Sequence, residues 1–89
     1  MEQTICPVDV ISVCSAEGEI RPLRLRLEDR EQRRIRVDID EILKIQEIRY
    51  TGVEACIFLC RGRAEEREIL FELKYTFRSH MWHLLQRLH

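Results

Sequence analysis

The chain has 89 residues, enough for one domain and near the lower limit for a core built without staples. Its 45% hydrophobic and 35% charged composition suits a folded domain, and a net charge of −1 excludes bulk attraction to nucleic acid or anionic membrane. Against 16 acidic residues stand 13 arginines and 2 lysines, so the cations are mostly forked guanidiniums suited to carboxylate pairing. The opening MEQTICPVDV has no basic segment followed by an apolar stretch, and no run approaches the ~18 apolar residues of a membrane span. The expectation is a cytoplasmic protein that makes no membrane contact, with Cys6, Cys14, Cys56 and Cys60 as reduced thiols.

Residues 1–7 read as a loose leader to a single domain. Val8 to Cys14 (VDVISVC) is β-branched and apolar, which predicts a strand. Ser15 to Gly18 is a turn, with Gly18 at positive φ. The clearest pattern follows, from Glu19 to Asp40. Leu23, Leu25 and Leu27 alternate with Arg24 and Arg26, and after a polar break Ile35, Val37 and Ile39 alternate with Arg36 and Asp38. Period-two alternation on both sides of a short break predicts a β-hairpin. Pro22 cannot donate to a ladder, so its edge should face solvent or a bulge.

Charge selects the hairpin register. Pairing Leu27 with Ile35, Leu25 with Val37 and Leu23 with Ile39 sets Glu28 against Arg34 and Arg24 against Asp38. The neighbouring register opposes Arg24 to Arg36 and Arg26 to Arg34, and like charges opposite one another destabilise. The preferred register leaves the loop Arg30-Glu31-Gln32, which has no Gly or Asn for a left-handed position, and opposes Arg26 to Arg36 without a partner.

Asp40 to Tyr50 is read as a strand after a bend at Asp40-Glu41, ending at Thr51-Gly52. Ala55 to Cys60 (ACIFLC) is apolar on both faces and suits a central strand. Arg61 to Glu66 is a polar turn, and Arg67 to Phe77 carries Ile69, Phe71, Leu73, Tyr75 and Phe77 on one face. The register expected for this second hairpin pairs Phe58 with Phe71, Cys60 with Ile69, Arg61 with Glu68 and Arg63 with Glu66. Residues 79–89 fit two periods. Met81, Leu84, Leu85 and Leu88, with Ser79 as N-cap, describe a helix, which the periodicity favours; Trp82, Leu84, Gln86 and Leu88 describe a strand.

The run Ile20-Arg21-Pro22-Leu23-Arg24-Leu25-Arg26, then Val37-Asp38, Ile42-Leu43, Phe58-Leu59-Cys60, Phe71-Glu72-Leu73-Lys74-Tyr75 and the late Trp82, resembles a set of short β-rich proteins of Gram-positive bacteria. The resemblance extends from Val8 onward. It implies a compact β-rich domain with a final strand through Trp82, and no activity. The expected fold is therefore all-β: five to six antiparallel strands in a small, partly open barrel or strongly bent sheet, with residues 79–89 open to helix or strand.

Candidate sites are few. Arg21, Arg24, Arg26, Arg34 and Arg36 share one solvent face of the first hairpin. Such a face could bind nucleic acid or a phosphate ligand through Arg24, Arg26, Arg34 and Arg36. The plainer reading is a solvated strand face balanced by Glu19, Glu28 and Asp38, with no aromatic among the arginines for bases to stack on. Cys56 and Cys60, four apart on a strand, would lie about 13 Å apart, too far to share one tetrahedral metal. They read as small apolar core residues. His80 and His83 have no third ligand in sequence reach, no serine sits in a nucleophile-elbow setting, and three glycines cannot build a phosphate loop. The expectation is a non-enzymatic interaction or accessory module that needs no cofactor or metal. Its partner would be another protein or its own copy, in a homodimer. Nucleic-acid or phosphate binding on the Arg face is the alternative. A small barrel with Tyr75, Phe77 and Trp82 at its mouth is a third reading.

Overall fold

The structure is a computed structural model that describes residues 5–28, 31–50 and 52–88. It is all-β and forms a strongly curled antiparallel half-barrel. The strands are β1 (Cys6–Pro7), β2 (Asp9–Cys14), β3 (Ile20–Glu28), β4 (Arg34–Tyr50), β5 (Val53–Ala64), β6 (Arg67–Thr76) and β7 (Met81–Arg87). They form one sheet in the order β1-β7-β6-β5-β4-β3-β2. That is seven strands where five to six were expected. The extra strand comes from the expected leader. Cys6 and Pro7 pair with Leu84 and His83, and Asp9 begins the ladder with β3. Between them the Val8 amide donates to the Trp82 carbonyl at 3.1 Å. The N-terminal segment thus ties together the two edges of the meander, a long-range pairing with no local signal. Residues 1–4 lie outside the described residues.

The first hairpin has the register selected by charge: Arg24 faces Asp38, Leu25 Val37, Arg26 Arg36, Leu27 Ile35 and Glu28 Arg34. Gln32 takes the left-handed position, φ 63°, in place of a glycine. Of the loop residues expected, Arg30 lies outside the described ones. The expected pair Leu23–Ile39 does not form. The β2–β3 ladder steps from Ile11–Arg24 to Ser12–Pro22, so Leu23 is the extra residue of a bulge. The bulge accommodates Pro22, which is buried, and turns Leu23 outward. At the far end of β2 the Ser15–Gly18 turn is closed by Ser15 Oγ, which accepts from the amides of Glu17 and Glu19 at 3.2 and 3.1 Å. Gly18 has φ 87°.

The second hairpin departs from its expected register by two residues. Phe58 faces Leu73, Cys60 faces Phe71, Gly62 faces Ile69 and Ala64 faces Arg67. The turn is Glu65-Glu66, both left-handed at φ 50° and 66°, which matches the twist of a tight hairpin. The physical reason is size. This register sets the small inward side chains of β5 against the large ones of β6, whereas the expected one stacks Phe58 on Phe71. Leu25, Val37, Phe58, Phe71 and Leu73 are the fully buried large side chains of the single core.

β7 corrects the helical reading of residues 79–89. The chain reverses through 77–80, where His80 has φ 59° and its amide donates to the Thr76 carbonyl at 2.9 Å. Trp82 then packs on Tyr75 and Phe58, with centroids 4.8 and 5.7 Å apart. Met81, the first residue of the apparent helical stripe, is exposed. Pairing with the open edge of β6 and burying Trp82 outweigh the 3.6-residue period.

Curvature is concentrated where β4 crosses β5. The β4 ladder slips between Ile39 and Glu41 and again between Ile42 and Lys44. Bulges of this kind bend a sheet. The first coincides with the bend expected at Asp40-Glu41. Opposite it, a Cβ on Gly62 would collide with the Asp38 carbonyl oxygen and press on Phe71. Gly62→Ala is accordingly expected to destabilise the fold by about 1–3 kcal/mol as an overpacking change. Urea unfolding checks this; an unchanged midpoint would show that β4 does not approach β5 so closely.

Candidate binding surfaces

The four candidate arginines all lie on the outer face of the β3–β4 hairpin. Arg24, Arg26 and Arg36 converge on one shallow depression of about 320 Å³, shared with Asp9 and Ile11. Arg34 sits at a neighbouring one, shared with Arg26, Glu28 and the N-terminal Cys6. The structure therefore brings together three of the four, with Arg34 one step further along the ladder.

The charges of Arg24, Arg26 and Arg36 are spoken for. Arg24 Nε donates to Asp38 Oδ1 at 2.9 Å, and Arg36 Nε donates to the same oxygen at 3.0 Å. Arg26 Nη2 donates to Asp9 Oδ2 at 2.7 Å. Arg26 and Arg36, an unmatched pair by sequence, each have an acid partner in the structure. They do stand opposite one another. Each finds an acid from a different side, Arg36 from two residues along its own strand and Arg26 from β2. Asp9 is opposite Arg26 in the β2–β3 ladder, a pairing visible only once β2 is placed. The hydrogen bond from Arg36 and then that from Arg24 hold the Asp38 carboxyl below its usual range, against the opposing effect of desolvation.

The charge lattice continues across the sheet. Asp38 faces Arg63 on β5, and Arg63 faces Glu68 on β6. Arg63 also reaches Asp40 at 3.7 Å, and Arg61 pairs with Glu41. These groups are about half exposed, so each pair contributes little to stability. Their larger effect is on binding. An incoming phosphate would have to displace Asp9 and Asp38 from the guanidiniums it sought.

The other candidates resolve by burial. Cys60 is fully buried and its thiol is pushed up to about 12 by desolvation. Burial, with Glu47 across the ladder, also raises Cys56. Both are inert core residues, as expected, whereas Cys14 is exposed and Cys6 half-buried. Tyr75 and Trp82 do not line a mouth. Both are buried, Tyr75 packs edge-on against Phe77 with centroids 5.2 Å apart, and its hydroxyl bonds His80 Nδ1 at 3.0 Å.

A surface that the residue pattern did not reveal is the outer edge of β4. β3 pairs with β4 no further than Arg24–Asp38, and then turns away towards β2. From Ile39 to Tyr50, β4 is paired on its β5 side alone among the described residues. Past the second bulge, Lys44 to Tyr50 runs in regular register with β5. Along this open edge Leu43, Ile45 and Tyr50 are 43%, 56% and 74% exposed. The only signal in the sequence is the length of the run, because where β3 parts from β4 is a non-local property.

No known protein family, curated protein or solved structure matches this chain. The class the geometry defines is a small curled β-sheet with an ion-paired convex face and one long open strand edge.

Asp38 supplies the test of the charge lattice. Because its folded pKa is depressed, its stabilising effect is present above the usual carboxylate pKa and fades as pH falls through the lowered one. Urea melts of the protein and of Asp38→Asn are expected to differ at pH 6, with a difference that fades only as pH falls below the usual carboxylate value of 3.8 and through the lowered one. A difference that persists undiminished in acid would mean that the carboxylate charge is not what Arg24 and Arg36 use.

Proposed function

We propose that this protein is a non-catalytic interaction module that self-associates through the open edge of β4. The observation that carries the reading is the regular strand from Lys44 to Tyr50, whose outer edge pairs with no other strand among the described residues. An open edge offers a row of backbone donors and acceptors for another strand, and such edges are normally shortened, covered or blocked. Here the bulges and Lys44 blunt the first half of the edge. The stretch beyond, Ile45 to Tyr50, is as long as an average strand of ~5–6 residues. It carries apolar Ile45 and Ile48 between Lys44, Glu47 and Arg49, so a second copy running antiparallel meets both apolar and oppositely charged neighbours. A domain of this size also gains core by pairing.

Light scattering behind size exclusion checks the reading. A dimer is expected at about 100 μM, within the usual range of moderate homodimer affinities. Ile45→Lys, at an exposed position, is expected to return it to monomer with its melting temperature at low concentration unchanged. A wild-type monomer at millimolar concentration would remove the proposal.

A second reading, anion or nucleic-acid binding at Arg24, Arg26, Arg34 and Arg36, is favoured by the convergence of three of these on one depression. It is opposed by the carboxylates already bound there. On this reading the protein is retained on heparin at low salt, and Arg26→Glu with Arg36→Glu abolishes the retention. Absence of retention by the unaltered protein ends it.

A further inference from the structure

The end of the half-barrel opposite the aromatic cluster is open and unfilled. A cavity of about 450 Å³ lies there, between the β3–β4 hairpin, the Glu65-Glu66 turn and β7. Its floor is Leu25, Val37 and Phe71, all fully buried. Leu27, Ile35 and Leu84 form its walls and are only half-buried. The space exists because Ala64, the last inward residue of β5, is small.

Two charged residues line it, Glu65 and Arg67. Arg67 faces Ala64 in the ladder and begins the inward row of β6 that continues as Ile69, Phe71, Leu73 and Tyr75. Every other member of that row is buried and apolar or aromatic. A guanidinium in this row is out of pattern, and so is the turn beside it. Glu65 and Glu66 hold left-handed backbone where Asn-Gly is the unstrained choice. Among the described residues, Glu65 and Arg67 form no ion pair with each other or with a neighbour, in a molecule where most arginines of the outer face have an acid.

We propose that this cavity binds a small zwitterion with a large apolar side chain, of the α-amino-acid type. Its side chain fills the space over Leu25, Val37 and Phe71, its carboxylate pairs with Arg67, and its ammonium pairs with Glu65. The size is that of small-ligand sites, and an apolar chamber with few polar groups at its rim is their usual construction. The pair of opposite charges selects the head. A simple anion gains Arg67 but meets Glu65, a simple cation has the reverse problem, and only a head with both charges satisfies both. A closing ion pair between the two residues would have blocked the mouth; its absence leaves both charges for a ligand.

Calorimetry with three probes that share one apolar body tests this. L-phenylalanine carries both charges, 3-phenylpropionate lacks the ammonium and phenethylamine lacks the carboxylate. Saturable, equimolar binding of L-phenylalanine is expected, with each single-charge probe about tenfold weaker or more. Arg67→Gln should reduce L-phenylalanine to the level of phenethylamine, and Glu65→Gln to that of 3-phenylpropionate. Both side chains are exposed, and an unchanged melting temperature verifies that the variants fold. Methyl shifts of Leu27, Ile35 and Leu84 on titration place the ligand in this cavity. No saturation by L-phenylalanine on the order of 10 mM overturns the proposal. So does 3-phenylpropionate binding as tightly as the amino acid, or affinity that neither variant changes.

Discussion

The structure depends on the small side chains that β5 turns inward. Cys56, Cys60, Gly62 and Ala64 stand on the inner face of the central strand, opposite Tyr75, Phe71, Ile69 and Arg67 of β6. A tightly curled sheet crowds its concave side, so large residues can be accommodated there only against small ones. That constraint sets the register of the β5–β6 hairpin against the expected one. It lets β4 approach until the Asp38 carbonyl lies over Gly62. It also buries Cys60 so completely that its thiol stays protonated. At the end of the strand, where Ala64 faces the exposed Arg67 and not a buried apolar residue, the same small side chain leaves the cavity below the Glu65-Glu66 turn.

The two faces of the sheet follow different physics. Inside, volume decides: Leu25, Val37, Phe58, Phe71 and Leu73 fill the concavity and hold the strands in one core. Outside, alternating charge decides the register without adding much stability, since exposed pairs are weak. The series Arg24, Asp38, Arg63 and Glu68 crosses β3, β4, β5 and β6 with opposite signs facing at every step. A one-residue slip of any strand would bring inward residues out and would break this alternation. The arginines are therefore register devices first, and Asp38, shared between Arg24 and Arg36, is their hub.

The sheet closes unevenly, and the asymmetry concentrates its reactive features. The N-terminal segment joins β7 on one side and β3 on the other through short ladders around Val8. On the other flank, β3 pairs with β4 no further than Arg24–Asp38, and past that pair the β4 edge has no neighbouring strand among the described residues. One end is sealed by Tyr75, Trp82 and Phe58, while the other is lined by half-buried aliphatic residues. Edge and cavity are separate surfaces.

Period-two alternation and charge pairing are local properties, and they determined much by themselves. The all-β class, the register of the β3–β4 hairpin, the bend at Asp40, the central place of ACIFLC and the burial of Cys56 and Cys60 were all legible in the residues. Tertiary structure decided the rest. The partner of Arg26 is Asp9, on a strand whose register no local pattern fixes. Residues 81–87 are a strand because β6 had an open edge and Trp82 a place to pack, although their own periodicity is helical. The second hairpin moved by two residues because packing volume, a sum over several strands, outweighed the pairing of Arg61 with Glu68. The cavity and the open edge arise from where strands part company, which depends on bulges and closure and is written in no single stretch of the chain.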